Sequence, residues 1–99
     1  MLTEDLVKDI IKEQSLIIGE VLARQRATDS GVIKFRSQKL DDLYIEGNDS
    51  TVIEKLVNSY KVIFGQASVE VCINIIKKFP KEQVLPIVPE SFKQALNNK

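Results

Sequence analysis

Paired carboxylates, a lone thiol and a run of cations are the groups in this chain with chemistry to offer. Asp41 and Asp42 are adjacent, and two carboxylates together are one route to general acid–base catalysis. Neighbours in a polar segment point in different directions, however, and this segment reads as a solvated turn. From Asp42 the spacing approaches that of a calcium loop, with Tyr44, Glu46 and Gly47 at its third, fifth and sixth positions. The twelfth position must carry a bidentate carboxylate. It holds Ile53, with Glu54 one residue late, so calcium is not expected.

Cys72 is the single cysteine and the chain has no histidine. That removes an internal disulfide, a Cys–His nucleophile pair and the usual zinc ligand sets. Cys72 lies among apolar residues, where an inert buried thiol is the expectation. No glycine-rich phosphate loop or nucleophile motif occurs. The sequence therefore reads as non-enzymatic, with no catalytic, cofactor or metal site.

Polar recognition has one candidate. Arg24, Arg26, Lys34, Phe35, Arg36 and Lys39 bring five cations and an aromatic together, opposed between residues 24 and 39 by Asp29 alone. Phosphate contacts with base stacking on Phe35 would suit nucleic acid. The acids Asp41, Asp42, Glu46 and Asp49 follow at once, a reversal that suits a dipolar surface meeting another protein. Net charge is zero, with 14 basic and 14 acidic residues. A dedicated nonspecific nucleic-acid binder normally carries a basic excess, so a protein partner is preferred and nucleic acid is the alternative.

These residues must be positioned by helices. Ninety-nine residues with 43% hydrophobic and 28% charged composition describe one ordinary globular domain, residues 1–99. No apolar run is long enough for a membrane span. The acids Glu4, Asp5 and Asp9 stand where a signal peptide would be basic, so a cytoplasmic protein is expected. The organising stretch is Thr51–Phe79. Val52, Ile53, Leu56, Val57, Tyr60, Ile63, Phe64 and Ala67 form one apolar stripe at helical spacing. Val71, Cys72, Ile75, Ile76 and Phe79 form another, rotated by roughly 100°. The phase changes at Gly65, which predicts a break or sharp kink there.

The first helix is predicted from a Thr3 cap to about Ala27, before Thr28-Asp29-Ser30-Gly31. Leu6, Val7, Ile10, Ile11, Ile17, Ile18, Val21 and Leu22 spread over an arc of roughly 160°, wide enough for neighbours on two sides. At about 37 Å this helix would project beyond a small domain. Gln14 and Gln25 lie within the arc, reaching a backbone carbonyl, solvent or a partner helix. Leu16 lies off it beside Ala23 and Ala27, where it suits a dimer surface. Gly19 keeps the helical phase, so no break is expected there. Gly19 and Ala23 also make a small-residue patch.

Residues 31–47 predict a small β-hairpin, with a short helix over Gln38–Ile45 as competitor. Thr51 and Glu54 match a capping box. The helix after Gly65 should end at Phe79 before Pro80, with Lys77 and Lys78 in its last turn. One turn over Lys81–Leu85 and a final helix from Pro89 to Leu96 complete the chain. Asn97, Asn98 and Lys99 are expected to fray. Windows 6–19 and 52–65 align at an offset of 46 residues, each ending in three apolar residues and a glycine. Two amphipathic helices also align by chance at their best offset.

The expectation is therefore a mainly α single-domain bundle of four to five helices. Its break lies near Gly65, and a possible small hairpin lies within 31–47. Functionally it is a cytoplasmic interaction or regulatory module that self-associates as a homodimer. Its partner-binding candidates are Gln14, Leu16, Arg24, Arg26, Lys34, Phe35, Arg36 and Lys39.

Overall fold

In the computed structural model, which describes residues 2–97, the chain is mainly helical, with a small antiparallel hairpin. Its elements are α1 (Leu2–Ile18), α2 (Glu20–Asp29), β1 (Ile33–Phe35), β2 (Leu43–Ile45), α3 (Asp49–Phe64), α4 (Gln66–Ile76), α5 (Lys81–Val84) and α6 (Glu90–Asn97). The expected fraying of Asn98 and Lys99 lies outside the described residues.

The break at Gly65 is present. Its backbone, at φ 61° and ψ −143°, mirrors the extended polyproline region of an ordinary residue, so α3 stops and α4 leaves in a new direction. The rotated stripes require this. Val52, Ile53, Leu56, Val57 and Tyr60 of α3 are buried, as are Cys72, Ile75 and Ile76 of α4.

The first helix departs from expectation. Gly19 sits at φ 91° and ψ 153°, a region open almost only to glycine. The predicted run to Ala27 is therefore two helices, and the described residues hold six helices where four or five were expected. Sequence phase is blind to this corner, because Gly19 still accepts from the Ala23 N–H at 3.0 Å and donates to the Ser15 carbonyl at 3.0 Å. Splitting the helix removes the projecting rod: the molecule measures 35 × 26 × 19 Å.

The helix ends differ in detail too. Thr3 is buried inside the first turn of α1, which is already helical at Leu2, so it is not a cap. The cap of α3 is Asn48, whose Oδ1 accepts from the Thr51 N–H at 3.0 Å. It takes the donor that the predicted Thr51–Glu54 box would have used otherwise. Helix α4 ends at Ile76, so Lys77, Lys78 and Phe79 form the turn before Pro80 rather than its last helical turn.

The hairpin pairs Ile33 with Ile45, Lys34 with Tyr44 and Phe35 with Leu43, which excludes the competing helix over Gln38–Ile45. Opposed residues share a face. Ile33 and Leu43 enter the core with Val32, while Lys34 and Tyr44 face outward. Two strands alone are marginal, and packing of β1 on α2 supplies the missing support. Val84, Val88 and Phe92 close the core from the C-terminal side.

Because no atom lies within 4 Å of a Cβ built at Gly65, substitution there tests backbone conformation alone. Gly65→Ala is expected to cost about 1–3 kcal/mol. D-alanine placed there by semisynthesis has the matching handedness and should cost far less. Denaturant unfolding of both proteins measures the difference.

Candidate functional site

Two buried polar contacts fix how the glycine corners sit. Gln14 of α1 donates through Nε2 to the Ser68 carbonyl of α4 at 3.3 Å, and Cys72 Sγ lies 3.6 Å from the same nitrogen. Asp9, Lys12 and Glu13 border a cleft with Ile75 and Lys78, so α1 and α4 run antiparallel. Tyr60 of α3 donates its hydroxyl to the Ala23 carbonyl of α2 at 2.8 Å. Arg26 Nε donates to the Ser59 carbonyl at 3.0 Å, a second contact between α2 and α3. Gly19 lies about 8 Å along the helix from Gln14, and Gly65 about 5 Å from Ser68. Both glycines therefore lie beyond this cross-link, at the same end of the α1–α4 pair.

Large apolar residues near each break are exposed. Leu16, Ile17 and Val21 flank Gly19, and Val62, Ile63 and Phe64 precede Gly65; all six are exposed. Leu16 is 73%, Val21 82% and Val62 74% accessible to solvent. Ile17 and Val21 belong to the predicted apolar arc, yet the Gly19 corner turns α2 away before they can be covered. Ile63 and Phe64 continue the α3 stripe, but α4 departs at Gly65 and leaves them half-open; Ala67 is exposed for the same reason. Val62, like Leu16, lies off every stripe and is exposed.

Gln14 is fully buried, and its Oε1 has no hydrogen-bond partner. Gln25, by contrast, is exposed. Gln14 thus sets register between α1 and α4 within this chain, as a buried amide can, at the cost of one unsatisfied acceptor. Gln14→Leu removes that acceptor along with the donor and is expected to change stability by no more than about 1 kcal/mol. Gln14→Glu buries a charge and should destabilise by about 3 kcal/mol or more. Thermal unfolding of the two variants checks both.

The basic run does not gather into one open patch. Arg24 lies over the Phe35 ring, 4.3 Å from its centre, and donates to the Ser37 carbonyl. Arg26 bonds Ser59 and also Asp29, at 3.4 Å. Arg36 lies 5.1 Å from the Tyr44 ring centre and 3.9 Å from Asp42. Three of the five cations therefore brace the hairpin and α2, while Lys34 and Lys39 are exposed. The carboxylate of Asp42 serves as one of those braces.

Two titratable groups are buried beside the Gln14 contact. Burial pushes the Cys72 thiol up to about 12, opposed by its hydrogen bond from Gln14. Burial also drives the Tyr60 phenol far above its usual range; the nearby Cys72 raises it further and Arg26 opposes. Both stay protonated near neutrality, and a protonated thiol is a poor nucleophile. A groove of about 690 Å³ follows α1, with Asp5, Lys8, Asp9 and Lys12 along it and Leu16 and Phe79 among its apolar walls. Among the described residues, no helix is long and apolar enough to cross a membrane. No protein-family model matches this chain, and no curated protein or solved structure matches it either.

Proposed function

We propose that this protein is a small non-enzymatic interaction or regulatory module of the cytoplasm, which self-associates through the apolar surface around Gly19 and Gly65. The observation that carries this reading is the exposure of six large apolar side chains, Leu16, Ile17 and Val21 near the break at Gly19 and Val62, Ile63 and Phe64 before the break at Gly65. Isolated exposed leucines or valines are ordinary on a monomer, whereas a contiguous patch of several hundred Å² marks a place of contact. Zero net charge gives little long-range repulsion between copies. A lone buried thiol suits a reducing compartment. Nucleic acid has less support, since Arg24, Arg26 and Arg36 already serve protein acceptors.

Sedimentation equilibrium at high micromolar concentration tests the proposal. A dimer is expected, and Val62→Asp should return it to monomer without lowering the unfolding midpoint. A wild-type monomer under those conditions overturns it.

A further inference from the structure

We infer that the molecule is a hinged clamshell, whose two halves turn as rigid bodies about the line joining Gly19 and Gly65. One half is α1 with α4, α5 and α6; the other is residues 20–64, comprising α2, the hairpin and α3. The chain passes between them twice, and each passage is a single glycine. A body attached at two points keeps one rotation, the one about the line through both. This device goes beyond self-association and does not depend on it.

At each corner the glycine's amide belongs to one half and its carbonyl to the other. Gly19 donates to the Ser15 carbonyl and accepts from the Ala23 N–H, both at 3.0 Å. Gly65 donates to the Lys61 carbonyl at 2.7 Å and accepts from the Ser68 N–H at 3.2 Å. Among the described residues, no backbone hydrogen bond skips over either glycine. Only the glycine's own φ and ψ therefore separate the two helices at each corner, and turning them breaks no hydrogen bond. Glycine has the widest choice of these angles. A Cβ built at either position meets no atom within 4 Å, so there is room to turn.

Polar contacts divide along the same line. The bonds from Gln14 to Ser68 and Cys72 lie wholly in the first half. Those from Tyr60 to Ala23, Arg26 to Ser59 and Arg24 to Ser37 lie wholly in the second. The ion pairs Arg26–Asp29, Arg36–Asp42 and Lys93–Glu90 also stay within one half each. Apart from the bonds of the two glycines, no hydrogen bond or ion pair among the described residues joins the halves. Across the join α1 packs on α3, and Leu6, Ile10, Ile53 and Leu56 of these helices are fully buried. Apolar contact of this kind is non-directional. Each half is thus held in register by directional bonds, whereas the join between them has none.

Cys72 reports the opening. It is fully buried on α4, near Tyr60 of the other half. In the wild-type protein under native conditions, DTNB should label this thiol at least about tenfold faster than global unfolding allows. The labelling rate should rise with urea less than about half as steeply as global unfolding, because that slope follows the surface exposed. Native-state hydrogen exchange supplies the second reading. Helices survive the turn, so the backbone amides of α1, α3 and α4 should stay protected to the level of global unfolding. Labelling with the full urea slope of global unfolding overturns the clamshell. Faster labelling matched by an equal loss of amide protection in α1, α3 or α4 overturns it too, since a helix has then unfolded rather than turned.

Discussion

Tyr60→Ala is expected to destabilise this protein by about 3–5 kcal/mol, lowering the unfolding midpoint by roughly 15–30 °C for a domain of this size. Tyr60 is the largest of the fully buried side chains. Its ring lies where α3 meets α2, and its hydroxyl is tied to the Ala23 carbonyl. Truncation leaves a cavity that helices anchored by single-residue corners cannot close by sliding. Tyr60→Phe separates the two contributions. It keeps the ring and gives up one buried hydrogen bond, worth about 1 kcal/mol. The Ala23 carbonyl still has its place in the α2 ladder, so the loss should stay near that figure. Guanidinium unfolding of the two variants measures both; a Tyr60→Ala loss below about 2 kcal/mol would show that the core collapses around the site.

Stability is also expected to fall at alkaline pH, and Cys72 sets where. Its thiol ionises near 9.0 in an ordinary environment and near 12 in the folded protein. Above about pH 9 the unfolded chain therefore releases a proton that the folded chain retains. With more protons bound in the folded state, stability declines as pH rises. The contribution is fully present below pH 9 and is lost progressively toward 12, at about 1.4 kcal/mol per pH unit for one group. Tyr60 adds a loss of the same sign above its ordinary 10.0. Cys72→Ala should lower stability at pH 8 by removing a buried side chain, yet flatten the decline between about pH 9 and 11. Urea unfolding across that range gives the comparison. Parallel curves for wild type and variant would refute the assignment.

Much of the architecture was legible because burial imposes a period. Val52 to Tyr60 and Cys72 to Ile76 announced two packing directions, and the phase change between them located Gly65. The short branched runs Gly31–Arg36 and Leu43–Gly47 favoured a hairpin over a short helix at Gln38–Ile45, and the pairing of Ile33–Phe35 with Leu43–Ile45 decides for it. The corner at Gly19 left no such mark. A helix can change direction without changing which residues its hydrogen bonds join nearby, and apolar spacing records only the latter. Hence Ile17 and Val21 looked buried. The same blindness affected the arginines: their charge was plain, whereas the carbonyls of Ser37 and Ser59 that receive Arg24 and Arg26 are brought close only by folding. Gln14 lay between these cases. A backbone carbonyl was among its expected partners, but nothing local pointed to Ser68, 54 residues away.

The extended backbone at Gly65 also governs how many chains one folded unit contains. Were residue 65 helical, α3 and α4 would merge into a rod about 42 Å long, longer than the molecule's greatest dimension of 35 Å. Such a rod could not present both stripes to its own α1 and α2. It would cover the second stripe only by lending α4 to another copy and receiving that copy's α4 in exchange, which is domain swapping. The single residue between the helices thus decides between a fold that closes on itself and one that closes through a neighbour.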